Sequence, residues 1–391
     1  MIQTIKSLAL QWAPEFIGIR HHLHAHPELS FQEHDTSCFI QEKLKEYGIP
    51  FRAPVAGTGI VAVIKGKNPD KKIIALRADM DALPIEEANE VSYKSKNPGI
   101  MHACGHDVHS TCILGAARIL QETRGLWEGT VKIIFQPGEE KHPGGASLMI
   151  KDGALEDPRP QAILGLHVLP DMETGNLGFR SGMYMASADE IYFTIRGKGG
   201  HAAAPHLTVD TILVASQLVV SLQQVISRQC NPFSPSVLSI CAFNGGHTTN
   251  VIPSEVNLKG TFRAMDEQWR FRAHELIRRQ ATELAHGMGA EIDVNILVGY
   301  PCVYNNEEVT GKARSLAEDF MGKQQVLDTE MRMGAEDFAF YSQVIPACFF
   351  RLGTGNKEKG ISSGVHTPTF NIDERAIEIG MGTMAWLAAQ W

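Results

Sequence analysis

The chain has 391 residues, 43% of them hydrophobic and 20% charged, with a net charge of -8. No basic block exists to follow a phosphate backbone, and no stretch approaches the roughly 18 to 20 uninterrupted apolar residues of a membrane span, so nucleic acid and membrane partners are disfavoured. The opening MIQTIKSLALQWAPEF lacks a basic region, an apolar block and a cleavage site, which predicts a cytoplasmic protein. The length exceeds one ordinary core and predicts two domains. Seven cysteines, at 38, 104, 112, 230, 241, 302 and 348, are odd in number and scattered, as reduced thiols are.

In chain order, the apolar runs 72–78, 130–136 and 162–168 read as buried, mostly parallel strands, interleaved with helical patterns at 107–123 and 141–151. They lead to polar residues: Asp79 and Asp81, Glu139 and Glu140, and His167. Ligands bind outside the carboxyl ends of the strands in open α/β sheets, so these groups are expected to converge. After residue 184 the rhythm changes to strand 190–197, helix 208–228, strands 236–243 and 255–264, helix 267–287 and strand 291–299. This β-α-β-β-α-β order folds as a sheet with two helices on one face. Helical and apolar segments at 307–321, 347–352 and 374–390 then complete the first sheet. The expected architecture is α/β, with a mostly parallel-sheet first domain (1–184 and 299–391) and an inserted domain (185–298).

A hydrolytic metal site needs imidazole, carboxylate or thiolate groups on rigid backbone. Cys104 and His106 in HACGHD, Glu139 and Glu140 in QPGEE, His167 in LGLHV and His366 in SGVHTPTF are the candidates. Gly105 allows a tight turn between the first two. A lone histidine at a strand end is more often a hydrogen-bonded core residue, and adjacent glutamates are often a solvated turn; shared placement is what favours a site. No paired C-x-x-C spacing of a structural zinc site occurs. The cluster RHHLHAHPE (21, 22, 24 and 26) is read as capping and surface residues, because Pro27 disfavours helix at His26. His102 and His109 read as supporting or helix-entry residues, and Asp81 as a group that orients a ligand imidazole.

HPELSFQE (26–33), RADMDALPI (77–85), MHACGHD (101–107), QPGEE (136–140), GKGGHAAAPH (197–206), NVIP (250–253), GTFR (260–263) and EDF (336–338) together resemble the N-acyl-amino-acid amidohydrolases. This is the branch of the di-metal aminoacylase and carboxypeptidase superfamily that contains hippurate hydrolases and indoleacetyl-amino-acid hydrolases. The resemblance implies two divalent ions (manganese, zinc or cobalt) held by Cys104, His106, Glu140, His167 and His366, with Cys104 where relatives outside the branch use a bridging aspartate. It implies a catalytic di-metal first domain with Glu139 as catalytic carboxylate, and an inserted lid and dimerisation domain that supplies His201, which reaches the site of the partner subunit in a homodimer or larger assembly, and Asn250 and Arg263 as binders of a substrate α-carboxylate. From the residues alone, those last three read as a turn residue, a strand-end cap and a surface arginine. Gly138 departs from the family's alanine, and a slight loosening of the turn is expected.

The activity so implied is hydrolysis of N-acyl amino acids (acetyl, benzoyl or aromatic acyl) to a carboxylate and a free amino acid. Dipeptidase, carboxypeptidase or N-acetyl-diaminopimelate deacetylase activity stays open on the same scaffold. Two other classes compete: a cysteine hydrolase using Cys104 and His106, which leaves Glu139, His167 and His366 unexplained, and a non-catalytic metal- or conjugate-binding protein, against which an intact Glu139 argues.

Overall fold

A computed structural model describes residues 1–391. The chain divides into two compact units, Met1–Gly182 with Tyr304–Glu330 and Asp337–Trp391, and Met183–Val303 with Met331–Glu336. The change of unit therefore comes at 303 rather than 299, and 331–336 also belongs to the second unit. The reason is backbone pairing: Ala188 N donates to Tyr300 O at 2.9 Å, and Arg332 exchanges bonds of 3.0 Å with Tyr184 and Ala186.

In the first unit, eight strands form one sheet in the order 51–55, 59–65, 130–136, 73–79, 162–173, 347–355, 177–179, 326–328. Strand Ile73–Asp79 runs parallel to Thr130–Gln136 and Ala162–Glu173, and Ala347–Gly355 runs parallel to the latter. Every residue of Thr130–Gln136 is buried, as expected of a strand covered on both faces. Even Lys132 is inside, its ammonium donating to the carbonyls of Ala154 and Glu156. Strand Ala162–Glu173 continues beyond the expected end at 168 because the parallel pairing with 347–355 carries it further, to Glu173 opposite Gly355.

Helix His106–Glu122 is buried through most of its length and packs with Ile2–Ala25 and Arg375–Gln390. Their apolar faces share one core cluster with the sheet, and removing that surface from water is the main force holding the layers together. Helix Gly145–Lys151 starts four residues after its predicted 141, because Pro143 precedes Gly144, whose φ of +83° lies outside helical space.

The second unit has a four-stranded antiparallel sheet in the order 236–244, 255–264, 189–196, 291–298. Helices Thr211–Gln224 and Glu267–Gly287 contribute to its separate core. The first starts at 211, later than the expected 208, because Asp210 caps it by accepting from Leu213 N at 3.1 Å. It ends in a π turn, Val225–Gln229.

Asp189 anchors this unit. Its buried carboxylate accepts from Arg270 Nε (2.9 Å), His274 Nε2 (2.8 Å) and Gly299 N (3.0 Å). Burial opposes its ionisation, but these donors overcome that and hold its pKa at about 2. A carboxylate depressed from about 3.9 stabilises the fold by roughly 2 kcal/mol above the unfolded value, a contribution lost as pH falls towards 2. Comparing urea unfolding of wild type and Asp189→Asn is therefore expected to show a difference that is full at pH 5 and narrows steadily between pH 4 and 2.

Candidate metal centre

One strand and three turns bring the predicted donors to one place: His167 lies on strand Ala162–Glu173, while Cys104 with His106, Glu140 and His366 stand at separate turns. Gly105, at φ +82°, turns the chain so that Cys104 lies just before helix His106–Glu122 and His106 opens it. A Cβ on Gly105 would lie 2.6 Å from Val168 Cγ2, so this turn needs glycine both for conformation and for space. Gly105→Ala is expected to lower stability by about 2 to 4 kcal/mol and to reduce metal uptake as Cys104 and His106 are displaced; calorimetry and metal analysis of the purified variant check both.

The turn that carries Glu139 and Glu140 is pinned at its backbone. Glu33, buried, accepts from Gly138 N (2.8 Å), Phe31 N (2.8 Å) and Thr58 Oγ1 (2.7 Å), while Asp81 accepts from Glu140 N (2.9 Å). Gly138 has φ +58°, and its Cβ position lies 2.3 Å from Phe31 Cε1. The glycine admits the Phe31 ring, and flanking carboxylates hold the turn.

Five side chains meet there. Cys104 Sγ lies 3.4 Å from His167 Nε2 and 3.3 Å from His366 Nε2. His366 Nε2 is 3.3 Å from Glu140 Oε1, which is 3.9 Å from His106 Nε2. Two triplets share Cys104, Cys104/His106/His167 and Cys104/Glu140/His366, each with ligand atoms within 4.8 Å of one another, and His106/Glu139/Glu140 and Asp79/His106/His109 meet the same spacing. Cys104 is common to the first two. Zinc bonds of about 2.3 Å to sulfur and 2.0–2.1 Å to nitrogen at a tetrahedral angle put the two donors about 3.6 Å apart, close to the spacings found. His366 holds φ +62°, a sparsely populated backbone state for a non-glycine residue, and its N–H donates to Ala103 O at 2.8 Å.

Proton placement also suits cations. His106 Nδ1 faces Asp81 Oδ1 at 3.2 Å, and His167 Nδ1 donates to Val168 O at 2.8 Å. Each leaves Nε2 towards the centre, in the manner of metal-ligating histidines with a second partner. His106 Nε2 is buried without a hydrogen-bond partner, a costly state that a cation would relieve. Burial opposes charge on His106, yet Asp79, Asp81 and Glu140 raise its pKa to about 10: the pocket draws positive charge. Burial, reinforced by Glu140, Glu139 and Asp79, pushes the Cys104 thiol well above its usual range, so a thiolate there needs a metal beside it. Burial also holds His167 neutral, well below the usual imidazole range.

Glu139 stands outside the two triplets. Its Oε1 accepts from Asp337 N at 3.3 Å and its Oε2 is 4.0 Å from His106 Nε2. His109, read as a supporting or helix-entry residue, mimics a ligand in position, but its Nδ1 donates to Asp79 Oδ1 (2.6 Å) and its Nε2 accepts from Val168 N (2.9 Å), so both nitrogens are spent. Other neighbours were not identified from sequence. His24, read as a capping or surface residue, is buried: its Nδ1 lies 2.7 Å from Asp107 Oδ2 and its Nε2 3.2 Å from Glu87 Oε1, and Arg20 donates to the same Asp107 at 2.8 Å. Only His26 Nδ1, 2.7 Å from His22 O, fits the capping expectation. Repetition of histidine hid the difference; the helical face shared by Arg20 and His24 was the available signal.

The other expected residues lie in the second unit. His201 is exposed and pairs with Val251 in a two-stranded ribbon, where Ala202 N donates to Asn250 O at 3.0 Å. His201 and Asn250 are therefore neighbours. Arg263, half-buried on strand Glu255–Ala264, donates to Met333 O at 3.4 Å, and burial lowers its pKa.

The model of peptidase family M20/M25/M40 matches residues 75–390. The chain belongs to this family. Within it, the N-acetyl-L-cysteine deacetylase of Bacillus subtilis is 41% identical over 363 residues, covering 93% of this chain and 85% of the relative. The IAA-amino acid hydrolase ILR1-like 5 of Arabidopsis thaliana is 38% identical over 380 residues, 96% of this chain and 86% of the relative. The solved structure of Bacillus subtilis YXEP, described as a dinuclear metal binding peptidase from M20 family, superposes with a TM-score of 0.84 at 35% identity over 97% of this chain and 98% of that one. Family membership and these relatives make this chain a metal-dependent hydrolase, with two divalent ions supported for its centre. No helix is long and apolar enough to cross a membrane.

Proposed function

We propose that this M20-family chain hydrolyses the amide bond of N-acyl amino acids, releasing a carboxylate and a free amino acid, with Glu139 as general base and acid. The observation that carries the reading is a pair of donor triplets sharing Cys104, with a buried carboxylate beside them that neither triplet consumes. Cys104, His106 and His167 would hold one ion, and Cys104, Glu140 and His366 the other. Thiolate and imidazole suit zinc, while the mixed nitrogen and oxygen set also suits manganese or cobalt. Bound there, two divalent ions would supply an acidified water and polarise the amide carbonyl.

Glu139 then removes a proton from the attacking water and delivers it to the departing amino nitrogen, so one carboxylate serves both transfers. Its Oε1 is held by Asp337 N. Arg263 and Asn250 are assigned to the substrate's α-carboxylate, for which a planar guanidinium offers a two-pronged hydrogen-bonded match. His201 is assigned to the developing oxyanion in the site of the partner subunit, which makes a homodimer the working assembly.

Relatives named for N-acetyl-L-cysteine and for IAA-amino acids support an acylated amino acid as substrate. The cysteine-hydrolase alternative is disfavoured because a nucleophilic cysteine needs a depressed pKa, and that of Cys104 is raised. The deciding experiment supplies manganese, zinc or cobalt to the purified protein and offers N-acetyl, N-benzoyl and indoleacetyl amino acids, their carboxamide counterparts, and dipeptides. Cleavage of the acyl amino acids, with the carboxamides much poorer, is expected. Cleavage of dipeptides alone would overturn the acyl preference.

A further inference from the structure

The motifs RADMD and EDF contain two side chains that the reaction above does not use, those of Arg77 and Asp337. The structure joins them. Arg77 is fully buried, and its guanidinium reaches three elements: Nη1 donates to Asp79 Oδ2 (2.6 Å), Nε to Gln136 Oε1 (2.8 Å) and Nη2 to Asp337 Oδ1 (2.6 Å). The side chains of all three ion-pair partners are inaccessible to solvent. Gln136 Nε2 donates in turn to Asp337 Oδ1 (2.8 Å) and Oδ2 (2.7 Å), and Ala146 N donates to Oδ2 at 2.9 Å. The guanidinium also lies over the Phe338 ring, 5.9 Å from its centroid.

Both arms of this clamp end at the centre. On one side Asp79 receives His109 Nδ1, and its Oδ2 is 3.8 Å from His106 Nε2. On the other, Gln136 directly precedes the turn that carries Glu139, and Asp337 N donates to Glu139 Oε1 at 3.3 Å. A planar cation with donors in a fixed fork can hold three acceptors in one geometry, whereas a lysine ammonium is a point charge on a flexible stem. Buried charge pairs are weak devices for stability, since desolvation offsets much of their attraction, so a rigid three-way clamp at this place needs another reason.

We infer that Arg77 is the positioning residue of the base: through Asp337 and Gln136 it fixes the Glu139 carboxylate, while through Asp79 it braces the His106 side of the same pocket. This rests on the reading of Glu139 as general base. A mis-aimed base slows the chemical step more than it weakens substrate binding, and small displacements are costly there.

The test is Arg77→Lys in the metal-loaded, full-length protein, with metal content, kcat, KM and a crystal structure as readouts. The expected result is two ions retained, KM within about twofold of wild type and kcat reduced about 10- to 100-fold, with Glu139 Oε1 displaced from Asp337 N in the crystal. Asp337→Asn, which keeps the shape of the side chain but removes the charge that binds Arg77, is the second variant should the first fail to fold, and the same kcat-selective loss is expected. Wild-type kcat in a folded variant overturns the inference, as does a loss explained entirely by missing metal or by a raised KM. If instead the wild-type protein cleaves none of the acyl amino acids, or Glu139→Gln is as active as wild type, it is the underlying functional reading that falls.

Discussion

Glu139→Gln is expected to retain two ions per chain while kcat falls by about 10³, within the 10² to 10⁴ range of general acid-base catalysis. The substitution preserves shape and keeps an oxygen that can accept from Asp337 N, the contact that now fixes Oε1 at 3.3 Å. What it removes is the capacity to accept and return a proton. Because Cys104, Glu140, His106, His167 and His366 supply both Cys104-sharing triplets without Glu139, the ions are expected to stay and KM to change little, although Glu139 also lies within ligand distance of His106 and Glu140. Metal analysis beside steady-state kinetics on an N-acyl amino acid separates the two effects. If more than a tenth of wild-type turnover survived with both ions bound, the base would have to be sought elsewhere. If turnover and metal were lost together, Glu139 would instead be a ligand.

The second large effect concerns the shared sulfur. Cys104→Ala is expected to reduce bound metal below two ions per chain and to abolish measurable turnover, a loss of at least about 10³ on the scale of metal-assisted hydrolysis, because Sγ contacts His167 at 3.4 Å and His366 at 3.3 Å and no other atom is common to both triplets. Cys104→Asp supplies an anionic ligand of similar reach and is expected to recover both ions and part of the activity. These two variants, read by metal analysis and kinetics, also separate the metal reading from a nucleophilic cysteine. In a cysteine hydrolase, aspartate would be as inactive as alanine, and a chelator would leave the wild type unaffected.

Where a pattern is local, it was legible in the amino-acid order. Helices Glu267–Gly287 and Glu307–Met321 have the predicted bounds because Asp266 and Asn306 cap them, accepting from Trp269 N at 2.6 Å and Val309 N at 3.0 Å. Strand Glu255–Ala264 follows from alternation of apolar and polar residues between turns. The candidate donors could be named because ligand-type side chains stand in turns or on strands whose ends meet in an open α/β sheet.

Their supports could not be named. Arg77 meets Asp337 across 260 positions, Glu33 meets Gly138 across 105, and Arg20 meets Asp107 across 87. No spacing rule links such pairs; only the fold does. Histidine posed the converse problem, for ring type alone does not separate His106, whose Nε2 faces the centre, from His109, whose two nitrogens are both hydrogen-bonded.

The two triplets differ in when synthesis can finish them. Cys104, His106 and His167 have all emerged before the second unit is made, whereas His366 follows Cys104 by 262 residues. A growing polypeptide therefore owns one complete nest of donors long before the other, and 262 positions separate the shared thiol from the last of its company. Assembly of the pair is in this sense ordered by translation itself, with the late imidazole closing what the early residues leave open.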